Sequence, residues 1–222
     1  SASLSSLGQN MLLGDENRLW FAAKETNIGL EVMQLDSDGT MTMYDLHPFG
    51  DSTPSEALVS NGGLVLVAGD GTGRQLAYLD GNGGQQWLTT MTKEGTNTPV
   101  STMAPKFGLH QIGDSILFDA VYRGADATLF TYSFATSNLV ELSSNILAPG
   151  HSLEPVSNGN TIWFDCVLAT TGMEVCQTDG TPMGTHLTVD LMQGVSSSIP
   201  KALLYTDSTL FVLAKGIDET GT

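Results

Sequence analysis

Basic residues are scarce in this chain of 222 residues: 8 Lys plus Arg stand against 24 Asp plus Glu, a formal net charge of -16. A surplus of that sign repels a phosphate backbone and an anionic lipid surface alike, which excludes nucleic acid as a partner. Long apolar runs are also missing. No stretch reaches the roughly 18 residues that a membrane helix needs, and no basic segment followed by an apolar run opens the chain. The expectation is therefore a processed, soluble segment with no membrane insertion. Charged residues make up only 14% of the chain and hydrophobic ones 41%, which excludes a coiled coil and a disordered acidic tail. What is abundant is Gly, 25 residues, with much Ser and Thr. That composition favours short strands joined by tight turns, as in many secreted β proteins.

Five short apolar runs stack on one another: Leu19-Trp20-Phe21, Leu64-Val65-Leu66, Ile116-Leu117-Phe118, Ile162-Trp163-Phe164 and Leu210-Phe211-Val212. They recur every 45–52 residues, and a small residue follows each at a fixed offset (Ala23, Ala68, Ala120, Cys166, Ala214). A second run, centred on Val32, Leu76, Leu129 and Val175, completes a hairpin with the first. Turn signals come next, Asp38-Gly39-Thr40, Asp80-Gly81-Asn82, Ser137-Asn138 and Asp179-Gly180-Thr181. A third run follows, then a Ser/Thr and Pro element around Pro54, Pro99, Pro155 and Pro200, then a fourth run such as Ala57-Leu58-Val59. Four strands per repeat predict an all-β chain, a β-propeller of four-stranded antiparallel blades with about 45–52 residues per repeat. A β-sandwich also has regularly spaced strands, but it does not need equivalent residues at every fourth one.

Counting strands from the five runs divides the chain, read as one repeat domain over 1–222, into units at about 17–61, 62–112, 113–158 and 159–206. Orphan strands are then expected near 11–13 and 207–214. The expectation is a piece of a longer propeller or repeat array, with a complete four-bladed ring as the alternative.

The stretch Gly172-Met173-Glu174-Val175-Cys176-Gln177-Thr178-Asp179-Gly180-Thr181-Pro182-Met183-Gly184-Thr185 resembles the bacterial ELWxxDGTxxGT repeat, with the match best over 172–222. Glu31-Val32 and Asp38-Gly39-Thr40 keep the pattern in the first unit, whereas the two middle units have drifted. The resemblance implies blades of a secreted or cell-surface bacterial protein. It implies a binding or scaffolding role and no reaction.

Cys166 and Cys176 fall on the two strands of one hairpin, which favours a structural disulfide in an oxidising compartment over two reduced core fillers. They are expected to stand directly opposite each other, as Ala23 and Met33, Ala68 and Ala77, and Ala120 and Phe130 would. Two thiols fall short of the four ligands of a zinc site. The Asp-rich turns supply hard oxygens, so Asp36, Asp38, Asp80, Asn82 and Asp179 are weak calcium candidates, with turn geometry as the simpler explanation. His47, His110, His151 and His186 occupy different points of their units and form no ring. Trp20, Trp87 and Trp163 are placed to stack on sugars, although Trp20 and Trp163 share a column that reads as packing between blades.

The functional expectation is a secreted or surface-associated, non-catalytic module that binds a protein or glycan and needs no cofactor unless it is Ca2+. Two alternatives come from other classes. One is a subunit of an extracellular filament or surface layer that self-assembles through exposed strands. The other is a polysaccharide-active enzyme with an acidic pair in the propeller channel.

Overall fold

The computed structural model describes residues 11–100, 107–123, 126–146 and 153–216. Among them every regular element is a strand. The chain folds into two compact units, residues 1–104 and 105–222.

The first unit holds two four-stranded antiparallel sheets. Sheet one runs β1 (Leu12–Gly14), β2 (Arg18–Glu25), β3 (Gly29–Asp36) and β4 (Met41–Tyr44) in that spatial order. Sheet two repeats the order with β5 (Ser55–Ser60), β6 (Gly63–Gly69), β7 (Arg74–Leu79) and β8 (Gln85–Trp87). In the second unit, sheet three consists of β9 (His110–Ile112), β10 (Ser115–Arg123), β11 (Asp126–Ser133) and β12 (Asn138–Ser143). Sheet four consists of β13 (Val156–Ser157), β14 (Ile162–Leu168), β15 (Gly172–Thr178) and β16 (His186–Val189). A two-stranded sheet five is made by β17 (Ala202–Thr206) and β18 (Thr209–Leu213).

The hairpins expected from the first two apolar runs are present as β2–β3, β6–β7, β10–β11 and β14–β15. The phase of the blades differs from the expected one. The strand expected near 11–13 as an orphan is found as β1, the first strand of sheet one, and pairs with β2 (Leu13 opposite Trp20). Ala57-Leu58-Val59, read as the last strand of one unit, pairs forward onto β6. Likewise Leu210 is no orphan, since it stands opposite Tyr205. The expected unit boundaries therefore cut through β1–β2 type hairpins. The physical reason is turn length. Asn61 and Gly62 have φ of 52° and 76°, and Asp207 and Ser208 have 48° and 62°, so each pair closes a two-residue hairpin of the favoured twist. By contrast, the segment between β4 and β5 is a long connector ending at Pro54.

In the first unit the core lies between sheets one and two, where Trp20, Ala22 and Val32 cluster with Leu64, Leu66 and Leu79. Its counterpart in the second unit joins Leu117 and Leu129 of sheet three to Ile162, Phe164, Cys166 and Cys176 of sheet four. Successive residues of a strand point to opposite faces. Each sheet thus offers one face through the Trp20 column and the other through the Leu19 and Phe21 columns. Trp163, in the Trp20 column, stacks on Tyr205 of sheet five with ring centroids 4.9 Å apart, as expected of packing between blades.

Cys166 and Cys176 form a disulfide with their Cα atoms 5.8 Å apart. They are not directly opposed. Cys166 faces Glu174 and Cys176 faces Phe164, so the bond runs diagonally across the hairpin. The same two-residue offset holds elsewhere, where Ala23 faces Glu31, Ala68 faces Gln75 and Ala120 faces Thr128. Both sulfurs are buried in the core between sheets three and four. Closing a loop of sequence separation 10 restricts the unfolded chain by about 2 to 3 kcal/mol in the loop-entropy model. Reduction, or the double substitution Cys166→Ala and Cys176→Ala, should lower the denaturant midpoint of the second unit accordingly. Equal midpoints with and without reductant would show the bond to be energetically idle.

Candidate functional site

In an antiparallel sheet of this order, the β2–β3 type hairpins and the long connectors leaving each fourth strand emerge at the same end. That end is where the sequence concentrates its irregular segments, and irregular segments on a rigid scaffold are where binding sites are usually built. The connectors are nevertheless held firmly. Glu31, fully buried on β3, accepts the Leu46 N–H at Oε2 (2.9 Å) and the Ser52 N–H at Oε1 (2.8 Å). Glu174, at the same column of β15, accepts the Leu191 N–H (3.0 Å) and the Ser198 N–H (2.8 Å), together with the Ser198 hydroxyl (2.6 Å). Gln75 does the equivalent work in sheet two, accepting the Met91 N–H at Oε1 (2.8 Å) and donating from Nε2 to the Met91 carbonyl (3.0 Å). The residues after Ser52 and Ser198 in the Ser-x-Pro elements, Thr53 and Ile199, both have positive φ, 44° and 46°. Two connectors of unrelated sequence are thereby bent the same way onto a buried carboxylate.

On this framework the first unit carries an open cleft of about 550 Å³. One wall is the β2–β3 hairpin, Lys24 to Gly29, and the other is Pro48-Phe49-Gly50 of the connector. Asp51 ties the walls together, since its Oδ1 accepts the Leu30 N–H (2.9 Å) and its Oδ2 lies 3.5 Å from the Lys24 ammonium. Gly29 has φ of 109°, and a Cβ there would meet the Gly50 carbonyl oxygen and the Asp51 carboxylate at 2.6 and 2.7 Å, so only glycine admits this approach. Phe49 is 96% exposed at the rim. The second unit has a smaller cleft, about 380 Å³, between Ser144-Asn145 and Leu168-Ala169-Thr170.

The calcium candidates lie at the opposite end, where their oxygens serve their own turns. Asp38 Oδ1 accepts the Thr40 N–H (2.8 Å), Asp80 Oδ1 accepts those of Asn82 (2.7 Å) and Gly84 (2.9 Å), and Asp179 Oδ1 accepts the Thr181 N–H (2.9 Å) and hydroxyl (2.7 Å). Asp36 accepts from Gln34 Nε2 (2.8 Å). Among the described residues no three His, Cys, Asp or Glu side chains are grouped to hold a metal ion. The turns also join neighbouring sheets. Gln34 Nε2 donates to the Gly81 carbonyl (3.0 Å) in the first unit, and the Thr131 hydroxyl donates to the Gly180 carbonyl (3.3 Å) in the second.

The histidines are dispersed. His47 Nδ1 lies 3.2 Å from the Asp51 carbonyl oxygen, His110 packs edge-on against Phe107, and His186 Nδ1 is 3.0 Å from the Leu187 carbonyl oxygen. His151 lies outside the described residues. Trp87 is half-buried against the core of the first unit. The cleft residues escaped the sequence reading. An aromatic between Pro48 and Gly50 in a polar connector was the one available signal.

No family model and no curated protein matches this sequence. Among solved structures it is similar to a puromycin-hydrolyzing peptidase of Mycobacterium tuberculosis (12% identity, TM-score 0.54), over 87% of this chain and 31% of that one. It is also similar to a puromycin hydrolase (16% identity, TM-score 0.50, 81% of this chain and 29% of that one) and to TolB from Acinetobacter baumannii (15% identity, TM-score 0.47, 86% and 45%). The fold is of β-propeller type. At these identities the likeness speaks to fold alone, and the chain spans less than half the length of each of the three.

Titration distinguishes the two kinds of carboxylate. Burial pushes the Glu31 carboxyl above its ordinary value, although the bonds from Ser52 and Leu46 pull the other way. The bonds from Thr181 hold Asp179 below its ordinary value. Glu31's linked contribution is therefore fully present below pH 4.5 and is lost as pH rises through the raised folded value. That of Asp179 is present above pH 3.8 and is lost as pH falls through the lowered one. Stability differences between wild type and Glu31→Ala should shrink from acid to neutral pH, and those for Asp179→Asn should grow. Parallel slopes would contradict the assignment. Glu31→Ala also strips the buried Leu46 amide of its acceptor, at about 1 to 3 kcal/mol, and leaves the Ser52 N–H with the Leu30 carbonyl (3.1 Å). Hydrogen exchange should accelerate at Leu46, less at Ser52, whose N–H keeps the Leu30 carbonyl, and stay slow at Val32 within the sheet.

Proposed function

We propose that this chain is a secreted or surface-associated binding module that engages a protein or glycan partner through the connector end of its sheets. The single observation that carries the reading is the first-unit cleft, an open concavity with a fully presented phenyl ring on a connector pinned by a buried carboxylate. A rigid rim that displays an exposed aromatic suits recognition, because little conformational entropy is lost when it is covered. The disulfide fits an oxidising compartment. The roles of Glu31, Glu174 and the two Asp-Gly-Thr turns support kinship with ELWxxDGTxxGT repeats, since the repeat's characteristic residues are the ones that hold connector and turn. A formal charge of -16 directs the choice toward neutral or basic partners.

Immobilised neutral polysaccharides and basic peptides, titrated with the wild-type chain and with Phe49→Ala, test the reading. Phe49→Ala should weaken binding by about tenfold or more, with the melting curve unchanged because the ring makes no core contact. Equal binding by both would move the site elsewhere. Polysaccharide turnover that one Asp or Glu substitution abolishes would replace the reading with the enzymatic one.

A further inference from the structure

The chain holds three Asn-Gly pairs, Asn61-Gly62, Asn82-Gly83 and Asn158-Gly159. Such a pair is open to an internal reaction in which the glycine amide nitrogen attacks the asparagine side-chain carbonyl, because glycine places no side chain in the way. By sequence the three are alike. Asn61 and Asn158 share Ser-Asn-Gly, and Asn61 and Asn82 share Asn-Gly-Gly.

The fold treats them differently. At Asn158 both reacting groups are engaged, since Oδ1 accepts the N–H groups of Asn160 (3.0 Å) and Thr161 (2.8 Å) and the Gly159 N–H donates to Ser157 Oγ (2.9 Å). At Asn82 the Gly83 N–H donates to the Tyr44 hydroxyl oxygen (3.3 Å), and Asn82 Nδ2 donates to the Asp80 carbonyl (3.4 Å). Asn61 and Gly62 are exposed in the two-residue turn between β5 and β6. Among the described residues, neither the Asn61 side chain nor the Gly62 N–H has a hydrogen-bond partner.

The bonds that this turn does make fall on its carbonyls. The Tyr78 hydroxyl donates to the Asn61 carbonyl oxygen (2.7 Å), and Arg18 Nη2 donates to that of Gly62 (2.9 Å). The Asn61 carbonyl and the Gly62 N–H belong to one peptide group. Negative charge left on the nitrogen as its proton departs is shared with that oxygen, where the Tyr78 donor and the nearby Arg18 guanidinium stabilise it. Tyr44 and Tyr78 therefore act in opposite senses. The first occupies the hydrogen of the attacking amide, and the second stabilises the anion that attacks.

We propose that Asn61 is a site of self-modification, deamidated by the Gly62 nitrogen with Tyr78 as the activating donor. The Gly62 nitrogen gives its proton to solvent base and bonds to Asn61 Cγ. The Cγ–Nδ2 bond breaks, and the amide nitrogen takes a proton from water and leaves as ammonia. Water then opens the cyclic imide at either carbonyl, which yields aspartate or isoaspartate at this position. Either product adds a negative charge to a chain of formal charge -16. Isoaspartate also lengthens the turn by one backbone atom and draws the Gly62 carbonyl away from Arg18, which joins this turn to sheet one. The turn lies at the end of the sheets away from the cleft, so the proposal is independent of the binding reading.

The whole chain, held at physiological temperature in mildly alkaline buffer, tests the proposal by isoelectric focusing and by peptide mass spectrometry with fragmentation that separates isoaspartate from aspartate. Native protein should gain an acidic species, with conversion at Asn61 about tenfold or more faster than at Asn82 and Asn158, the factor that one ordinary hydrogen bond on the attacking amide supplies. In denaturant the three rates should converge, because sequence is then the only difference. Tyr78→Phe should slow the reaction at Asn61 about three- to tenfold and leave the other two sites unchanged. If that variant loses its native circular dichroism, Arg18→Gln carries the same test. Asn61→Gly keeps a residue suited to the φ of 52° and should abolish the Asn61 product without loss of native circular dichroism. A native chain that stays unmodified at Asn61, or that reacts as fast at Asn82 or Asn158, overturns the proposal. So does a ranking that persists unchanged in denaturant, or a Tyr78→Phe rate equal to that of wild type.

Discussion

The buried polar side chain at the start of the third strand, Glu31 in sheet one, Gln75 in sheet two and Glu174 in sheet four, is the constraint on which the rest of the fold depends. A long connector must leave the outer strand of one sheet, cross its end and enter the next sheet at the right height, and its amides must find acceptors on the way. Glu31 and Glu174 solve this with one side chain each. One oxygen takes the Leu46 or Leu191 amide just after the fourth strand, and the other takes the Ser52 or Ser198 amide just before the proline. Ser52 in turn accepts the Gly69 N–H at its carbonyl, and Ser198 accepts that of Lys215, so the clamp passes directly into the strand pairing of the following sheet. Gln75 shows that the work is hydrogen bonding and not charge, since an amide side chain holds Met91 through both of its groups.

At the other end of the sheets the Asp-Gly turns play a complementary part. Each aspartate spends its oxygens on the amides of its own turn, which frees the glycine carbonyl to accept from the preceding sheet, from Gln34 in one unit and from Thr131 in the other. Sheets one and two are therefore pinned at both ends, by a carboxylate at one and a carbonyl at the other, with apolar columns between. The open cleft of the first unit follows from this arrangement. A connector that is pinned at Leu46 and Ser52 has only Pro48, Phe49 and Gly50 left to project, and they project as a rigid rim.

Much of this was legible in the residues. Equivalent apolar triplets, a small residue at a fixed offset, and turn signals after every second run sufficed for the four-stranded repeat, and two cysteines on one hairpin sufficed for their bond. The strand phase was not legible, because the apolar runs are equally regular whichever neighbour each one pairs with. Only the two-residue turns at Asn61-Gly62 and Asp207-Ser208 decide that Ala57–Val59 and Ala202–Leu204, respectively, pair forward. The cysteine register failed for a related reason. A hairpin that admits a three-residue turn at Ala169-Thr170-Thr171 shifts the partner of Cys166 from Cys176 to Glu174, and sequence spacing does not report turn length to within one residue.

By itself the sequence determined the class of the fold, its period, its acidic surface and the identity of the covalent link, since these depend on residue type and spacing along one chain. Tertiary structure alone decided that Glu31 and Glu174 are clamps and that Phe49 stands on the rim of a cleft. Each of these is a relation between segments some 15 to 25 residues apart, such as the bonds from Glu31 to Leu46 and from Glu174 to Ser198. Such relations arise only when the connector folds back over the sheet, and local pattern carries no record of that return.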